Sequence, residues 1–137
     1  MYYGNIKKCD ISNGTGVRVA LYVSGCRNCC KGCFNPETWN FKYGKEFTDK
    51  TLNEIIKACA PTYIEGLTIV GGEPFEPENQ ETVYNIIKEF KRNYPEKNIW
   101  IFSGYTIDGQ IKQWCDELPY TKNILKNIDV LVDGKFV

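Results

Sequence analysis

Four short stretches rich in β-forming residues each run straight into a loop containing glycine, and helical patterns fill the intervals between them. The stretches are Val17 to Ser24 before Gly25-Cys26, Leu67 to Val70 before Gly71-Gly72, Ile99 to Ser103 before Gly104, and Ile128 to Val132 before Asp133-Gly134. Apolar runs of this length bounded by turn residues read as buried strands. Leu52, Ile55, Ile56 and Cys59 fall at the i, i+3, i+4, i+7 spacing of one helix face, with Thr48-Asp49 as a start signal. Val83, Ile86, Ile87 and Phe90 repeat that spacing after Pro77-Glu78 and before Pro95. A third stripe runs through Ile107, Ile111, Trp114, Cys115 and Leu118 before Pro119, and Thr121 to Asn127 reads as a short fourth helix. Strand and helix in alternation imply right-handed crossovers and a mostly parallel sheet. Ligands of such sheets bind at the carboxyl ends of the strands, so the glycine loops are expected to face one mouth.

A closed eight-stranded barrel takes about 250 residues. With 137 residues, the expected fold class is α/β: an open, incomplete (βα) barrel with a mostly parallel sheet of about four to six strands. No internal repeat, low-complexity tract or Gly/Ser linker interrupts the chain, so residues 1–137 read as a single domain. Lysine plus arginine and aspartate plus glutamate both number 17, which leaves no global field to recruit nucleic acid or an anionic membrane. The polar segment from Met1 to Asp10 does not resemble a secretory leader, and no stretch approaches a membrane span. A cytoplasmic location is expected.

Four of the seven cysteines crowd into Cys26-Arg27-Asn28-Cys29-Cys30-Lys31-Gly32-Cys33, and the chain has no histidine. Such clustering points to metal or redox chemistry rather than a disulfide framework, and thiolates select sulfur-loving metals. Two abutting pairs, Cys26 with Cys29 and Cys30 with Cys33, would suggest zinc, yet structural zinc sites usually separate their pairs by a loop. Read instead as Cys26-x3-Cys30-x2-Cys33, the motif offers three thiolates to a cubane of four irons and leaves one iron open.

That spacing, the aromatic Phe34 after the third cysteine, and Gly71-Gly72-Glu73-Pro74 resemble the radical S-adenosylmethionine superfamily. Asn13-Gly14-Thr15-Gly16-Val17-Arg18, Cys33-Phe34-Asn35-Pro36-Glu37-Thr38-Trp39, Trp100-Ile101-Phe102-Ser103-Gly104-Tyr105-Thr106 and Asp129-Val130-Leu131-Val132-Asp133-Gly134 narrow the resemblance to activators of anaerobic ribonucleoside-triphosphate reductase. It spans nearly the whole chain. The resemblance implies a 4Fe-4S cluster on Cys26, Cys30 and Cys33, with S-adenosylmethionine bound at the open iron. Reductive cleavage would give methionine and a 5′-deoxyadenosyl radical, which takes a hydrogen from a glycine of the reductase. The cofactor carries that chemistry and the protein orients it. Gly71 and Gly72 would let backbone approach the methionyl group. Glu73 would add a carboxylate near its ammonium, Gly32 and Phe34 would shape the adenine side, and Ser103 would offer a hydroxyl. Cys33 would serve both cluster and cofactor. Partners implied are the reductase and a one-electron donor such as a flavodoxin or ferredoxin.

Two other readings remain in play: an activase of another glycyl radical enzyme of the pyruvate formate-lyase type, or a non-catalytic zinc or iron–sulfur module. Many relatives carry histidine at the position of Asn28, and Cys29 is an extra thiol read as a bystander. Cys59, Cys115 and Trp114 read as core, Cys9 as structural in an N-terminal strand, and Lys88 to Arg92 as a wet helix face, while Arg18, outside its place in the Asn13 to Arg18 motif, has the plain alternative of a solvated charge. Relatives usually continue past the Asp133-Gly134 strand end, which leaves two readings: a short member of the family, or a chain whose C-terminal segment, covering the site or docking the reductase, lies beyond Val137.

Overall fold

The computed structural model describes residues 1–27 and 39–134. In chain order the elements are β1 (Tyr2–Asp10), β2 (Val17–Val23), β3 (Lys45–Glu46), α1 (Asp49–Ala58), β4 (Ile64–Gly71), α2 (Pro77–Asn93), β5 (Asn98–Phe102), α3 (Gln110–Glu117), α4 (Thr121–Asn127) and β6 (Val130–Val132). Six strands form one open sheet in the order β3-β1-β2-β4-β5-β6. β2, β4, β5 and β6 run parallel, while β1 is antiparallel to both its neighbours.

Each new parallel strand is added on the same side of the last, and right-handed crossovers then place every connecting helix on one face of the sheet. The core lies there. Val19, Leu21 and Val23 of β2, Leu67 and Ile69 of β4, and Ile99 and Ile101 of β5 meet Ile55, Val83, Ile86, Ile87, Phe90, Ile111 and Ile124 from the four helices. Parallel register aligns these residues in rows across the sheet, Val19 beside Leu67 beside Ile99 and Leu21 beside Ile69 beside Ile101.

Local signals account for the helix limits. Thr48 is extended, and its N–H donates to Thr51 Oγ1 at 3.2 Å, which satisfies a backbone donor at the start of α1. Pro77 occupies the first turn of α2, where its missing N–H costs nothing, and Lys91 and Arg92 sit in the last turn against the helix dipole.

Four expectations need correction. Ile107 is not on the third helix but precedes it and is 39% exposed, because Asp108-Gly109 forms a turn in which Gly109 and Ile111 N–H groups donate to Thr106 O. Cys115 on α3 is only half-buried, and Cys9, though in β1, is exposed. Arg18 is not solvated: it is completely buried on the sheet face opposite the helices. Its guanidinium donates to Thr68 Oγ1 at 2.7 Å, Thr15 O at 3.0 Å, Leu67 O at 3.1 Å and Asn98 O at 3.4 Å, and lies over the Trp100 ring. The residue couples the 11–16 segment to β4 and β5, which local sequence could not reveal. Cys59, by contrast, is core as expected, and burial pushes its thiol up to about 12. Among the described residues, no helix is long and apolar enough to cross a membrane.

Candidate functional site

The carboxyl ends of β2, β4, β5 and β6 carry the four glycine loops to one edge of the sheet, and hydrogen bonds tie them there. Gly72 N–H donates to Val23 O and Glu73 N–H to Gly25 O, both at 2.8 Å, so the loop after β4 is fastened alongside the chain leading into Cys26. Ser103 N–H donates to Val132 O at 2.9 Å, and Gly134 N–H to Tyr105 O at 3.2 Å, which joins the ends of β5 and β6. Gly71 has φ +110°, and a Cβ there would lie 2.6 Å from the backbone N and O of Val23. The close approach of β2 and β4 is thus one physical reason for glycine at this position.

Glu73 lies at the centre of these ties. It is completely buried, and its carboxylate accepts from Phe75 N–H at 2.9 Å, Ser103 Oγ at 2.8 Å and Gly104 N–H at 2.7 Å. Burial raises its pKa to about 7 against the pull of those three donors, and the nearby Glu76 carboxylate adds to the rise. The Ser103 hydroxyl also accepts from Tyr105 N–H at 3.1 Å. Both Glu73 and Ser103 therefore brace the β4 and β5 loops against each other.

Cys26, half-buried, stands at the end of β2 with its N–H on Trp39 O at 3.3 Å. Beside it, Arg27 N–H donates to Glu76 Oε2 at 2.6 Å, and its guanidinium reaches Glu76 Oε1 at 2.9 Å and both Glu78 oxygens while lying over the Phe41 ring. Tyr105 OH donates to Glu76 Oε2 at 3.0 Å. The sequence assigns no role to Glu76 or Arg27, and Tyr105 enters it only within the Trp100 to Thr106 motif. The usable signal was charge: a cation directly after the first cysteine and two acids, Glu76 and Glu78, directly after the Gly71-Gly72-Glu73-Pro74-Phe75 turn.

Gly32, Phe34, Cys29, Cys30 and Cys33 lie outside the described residues. Of the expected site, Cys26, Gly71, Gly72, Glu73 and Ser103 are brought together at the one mouth. Among the described residues no three or more potential ligands converge, but the one thiol at the mouth, Cys26, in a chain without imidazole, is of the soft type that an iron–sulfur cluster takes.

An open α/β sheet with helices on one face and Cys26 at the carboxyl ends of its parallel strands is an arrangement that a thiolate-held metal centre fits. In agreement, residues 12–137 match the family described as a 4Fe-4S single cluster domain. The chain is 41% identical to the anaerobic ribonucleoside-triphosphate reductase-activating protein of Enterobacteria phage T4, covering 99% of this chain and 81% of that protein. Proteins of the same name from Haemophilus influenzae and Vibrio cholerae are 42% and 38% identical, each over 100% of this chain and 85% of the relative. The chain belongs to the family of anaerobic ribonucleoside-triphosphate reductase-activating proteins.

Proposed function

We propose that this chain is a radical S-adenosylmethionine activase that holds a 4Fe-4S cluster through Cys26, Cys30 and Cys33 and installs the glycyl radical of anaerobic ribonucleoside-triphosphate reductase. The observation that carries the reading is family membership over nearly the full chain, joined to the position of Cys26 at the mouth beside the Gly71–Glu73 loop. When bound, the cluster and S-adenosylmethionine together supply one-electron cleavage of the sulfonium to methionine and a 5′-deoxyadenosyl radical, which takes a hydrogen from the partner's glycine.

The chain's own part is to bind and orient. Cofactor contacts are assigned to Gly32, Cys33, Phe34, Gly71, Gly72, Glu73 and Ser103. Beside that contact, the Glu73 carboxylate accepts from Phe75 N–H, Ser103 Oγ and Gly104 N–H, which holds the β4 and β5 loops at a fixed separation. The sheet is read as an incomplete (βα) barrel, all 137 residues forming one domain. Its helix-free face is then the barrel interior, left open so that a folded partner can deliver a glycine loop. A flavodoxin or ferredoxin in the cytoplasm would supply the electron.

Anaerobic reconstitution tests this directly. The expected result is iron and sulfide in equal amounts, reductive S-adenosylmethionine cleavage, and a glycyl radical by electron paramagnetic resonance on the reductase but not on pyruvate formate-lyase. Zinc without sulfide would end the proposal.

A further inference from the structure

The three residues Gly25-Cys26-Arg27 are held at consecutive points. Gly25 O accepts from Glu73 N–H, Cys26 N–H donates to Trp39 O, and Arg27 N–H donates to Glu76 Oε2. Two of these ties are backbone to backbone. The third is made by a side chain, from a residue 49 positions away in sequence, at 2.6 Å.

Glu76 is unusual for a carboxylate: its side chain is 1% exposed. Buried carboxylates are costly unless their lone pairs are occupied. Here the occupants all belong to the cysteine loop or to the loop after β5. Arg27 gives both its backbone N–H and a guanidinium N–H, a two-point grip that fixes the peptide following Cys26 rather than merely neutralising charge. Tyr105 completes the set from the other side, and burial together with the adjacent carboxylate holds its hydroxyl well above the usual range, so it stays a donor. Glu78 shares the same arginine but is 46% exposed and touches no backbone of the loop among the described contacts.

We propose that Glu76 is a positioning residue for the Cys26 thiolate, fixing the Cys26–Arg27 peptide against the start of α2 and so setting where the first cluster ligand points. Outer-sphere groups of this kind orient metal ligands, and their loss commonly costs roughly 10–100-fold in metal affinity. The inference rests on the reading of Cys26 as a cluster ligand.

The test uses the full chain, reconstituted anaerobically with iron and sulfide, without S-adenosylmethionine or reductase. Iron release to a ferrous chelator is timed, the reduced cluster is examined by electron paramagnetic resonance, and the metal-free chains are melted. Glu76→Ala is expected to release iron about 10–100-fold faster. Glu76→Gln keeps an oxygen for the Arg27 N–H but no charge, so it is expected to fall between Ala and wild type and to alter the spectrum of the reduced cluster. Glu78→Gln, acting on the same arginine from solvent, should change release by less than about twofold. If Glu76→Ala does not fold, Glu76→Gln and Tyr105→Phe carry the test, each expected to release iron faster than wild type. Wild-type release and spectra in the Glu76 variants, with a cluster present in the wild type, would overturn the inference alone. A wild type that binds no iron–sulfur cluster would overturn the proposed function and this inference with it.

Discussion

The two faces of the sheet are built by different rules. On the helix-covered face, Val19, Leu21, Leu67, Ile69, Ile99 and Ile101 make a dry apolar layer with nothing to satisfy but volume. On the opposite face, Arg18, Thr68, Tyr22 and Trp100 are joined by a polar network under the 11–16 segment, in which Thr68 Oγ1 donates to Asn13 O at 2.7 Å and Asn13 Nδ2 to Tyr22 OH at 2.8 Å. Nearer the mouth that same face is left to half-buried Val70 and Phe102 and exposed Val132. One face stabilises by area. The other stabilises by directed bonds that a misplaced loop would break, which closes the bottom of the sheet while leaving its top accessible.

The contrast is broken most severely from the apolar side. Ile69→Ala removes a fully buried branched side chain from the middle row and is expected to cost about 3–4 kcal/mol, read as a lower urea midpoint with unchanged slope. Next comes Glu73. Its folded pKa, about 7, lies above the ordinary 4.5, so the folded chain keeps a proton that the unfolded chain releases. Stability should therefore fall as pH rises from about 4.5 to 7, by on the order of 3 kcal/mol, and stay level on this account outside that window. Urea melts at intervals across that range check the slope, and Glu73→Gln should flatten it. Arg18→Met is expected to cost about 2 kcal/mol, since it restores volume but removes the donors to Thr68 Oγ1 and to the carbonyls of Leu67 and Thr15. Its signature is faster proteolysis within residues 11–16. A neutral result would mean that the two faces obey one rule after all. The smallest effect is expected from breaking the exposed pair of Lys91 with Asp129 by Lys91→Met, within about 0.5 kcal/mol by the same melts.

How far the sequence disclosed this design depended on the range of the interaction. Strands after which glycine follows, and helices with i, i+3, i+4 stripes, are local patterns; β2, β4, β5 and the short α4 appear where those patterns lie. The convergence of the Cys26, Gly71–Glu73 and Ser103-Gly104 loops was also legible, because parallel topology alone sends strand ends to one side. Arg18 and Glu76 were not. Each is a charge whose burial is decided by partners about 50 residues away, Arg18 with Thr68 and Glu76 with Arg27, and a charge read from its neighbours looks solvated. Ile107 failed for a local reason instead: the Asp108-Gly109 turn outranked an apolar stripe. β3, two residues long, carries no periodicity from which to infer it.

The pairing of β2 with β4 fixes where the chain enters the cysteine motif. These neighbours are registered from Val17 beside Ile64 to Val23 beside Gly71, yet the whole cysteine motif lies in the chain between them. The two strands that flank that motif are held together by backbone bonds along their length, and Gly72 N–H on Val23 O and Glu73 N–H on Gly25 O extend the pairing beyond their ends. Any change that loosened the β2–β4 ladder would therefore be felt at Cys26, because those two ties continue the ladder up to the residue before it.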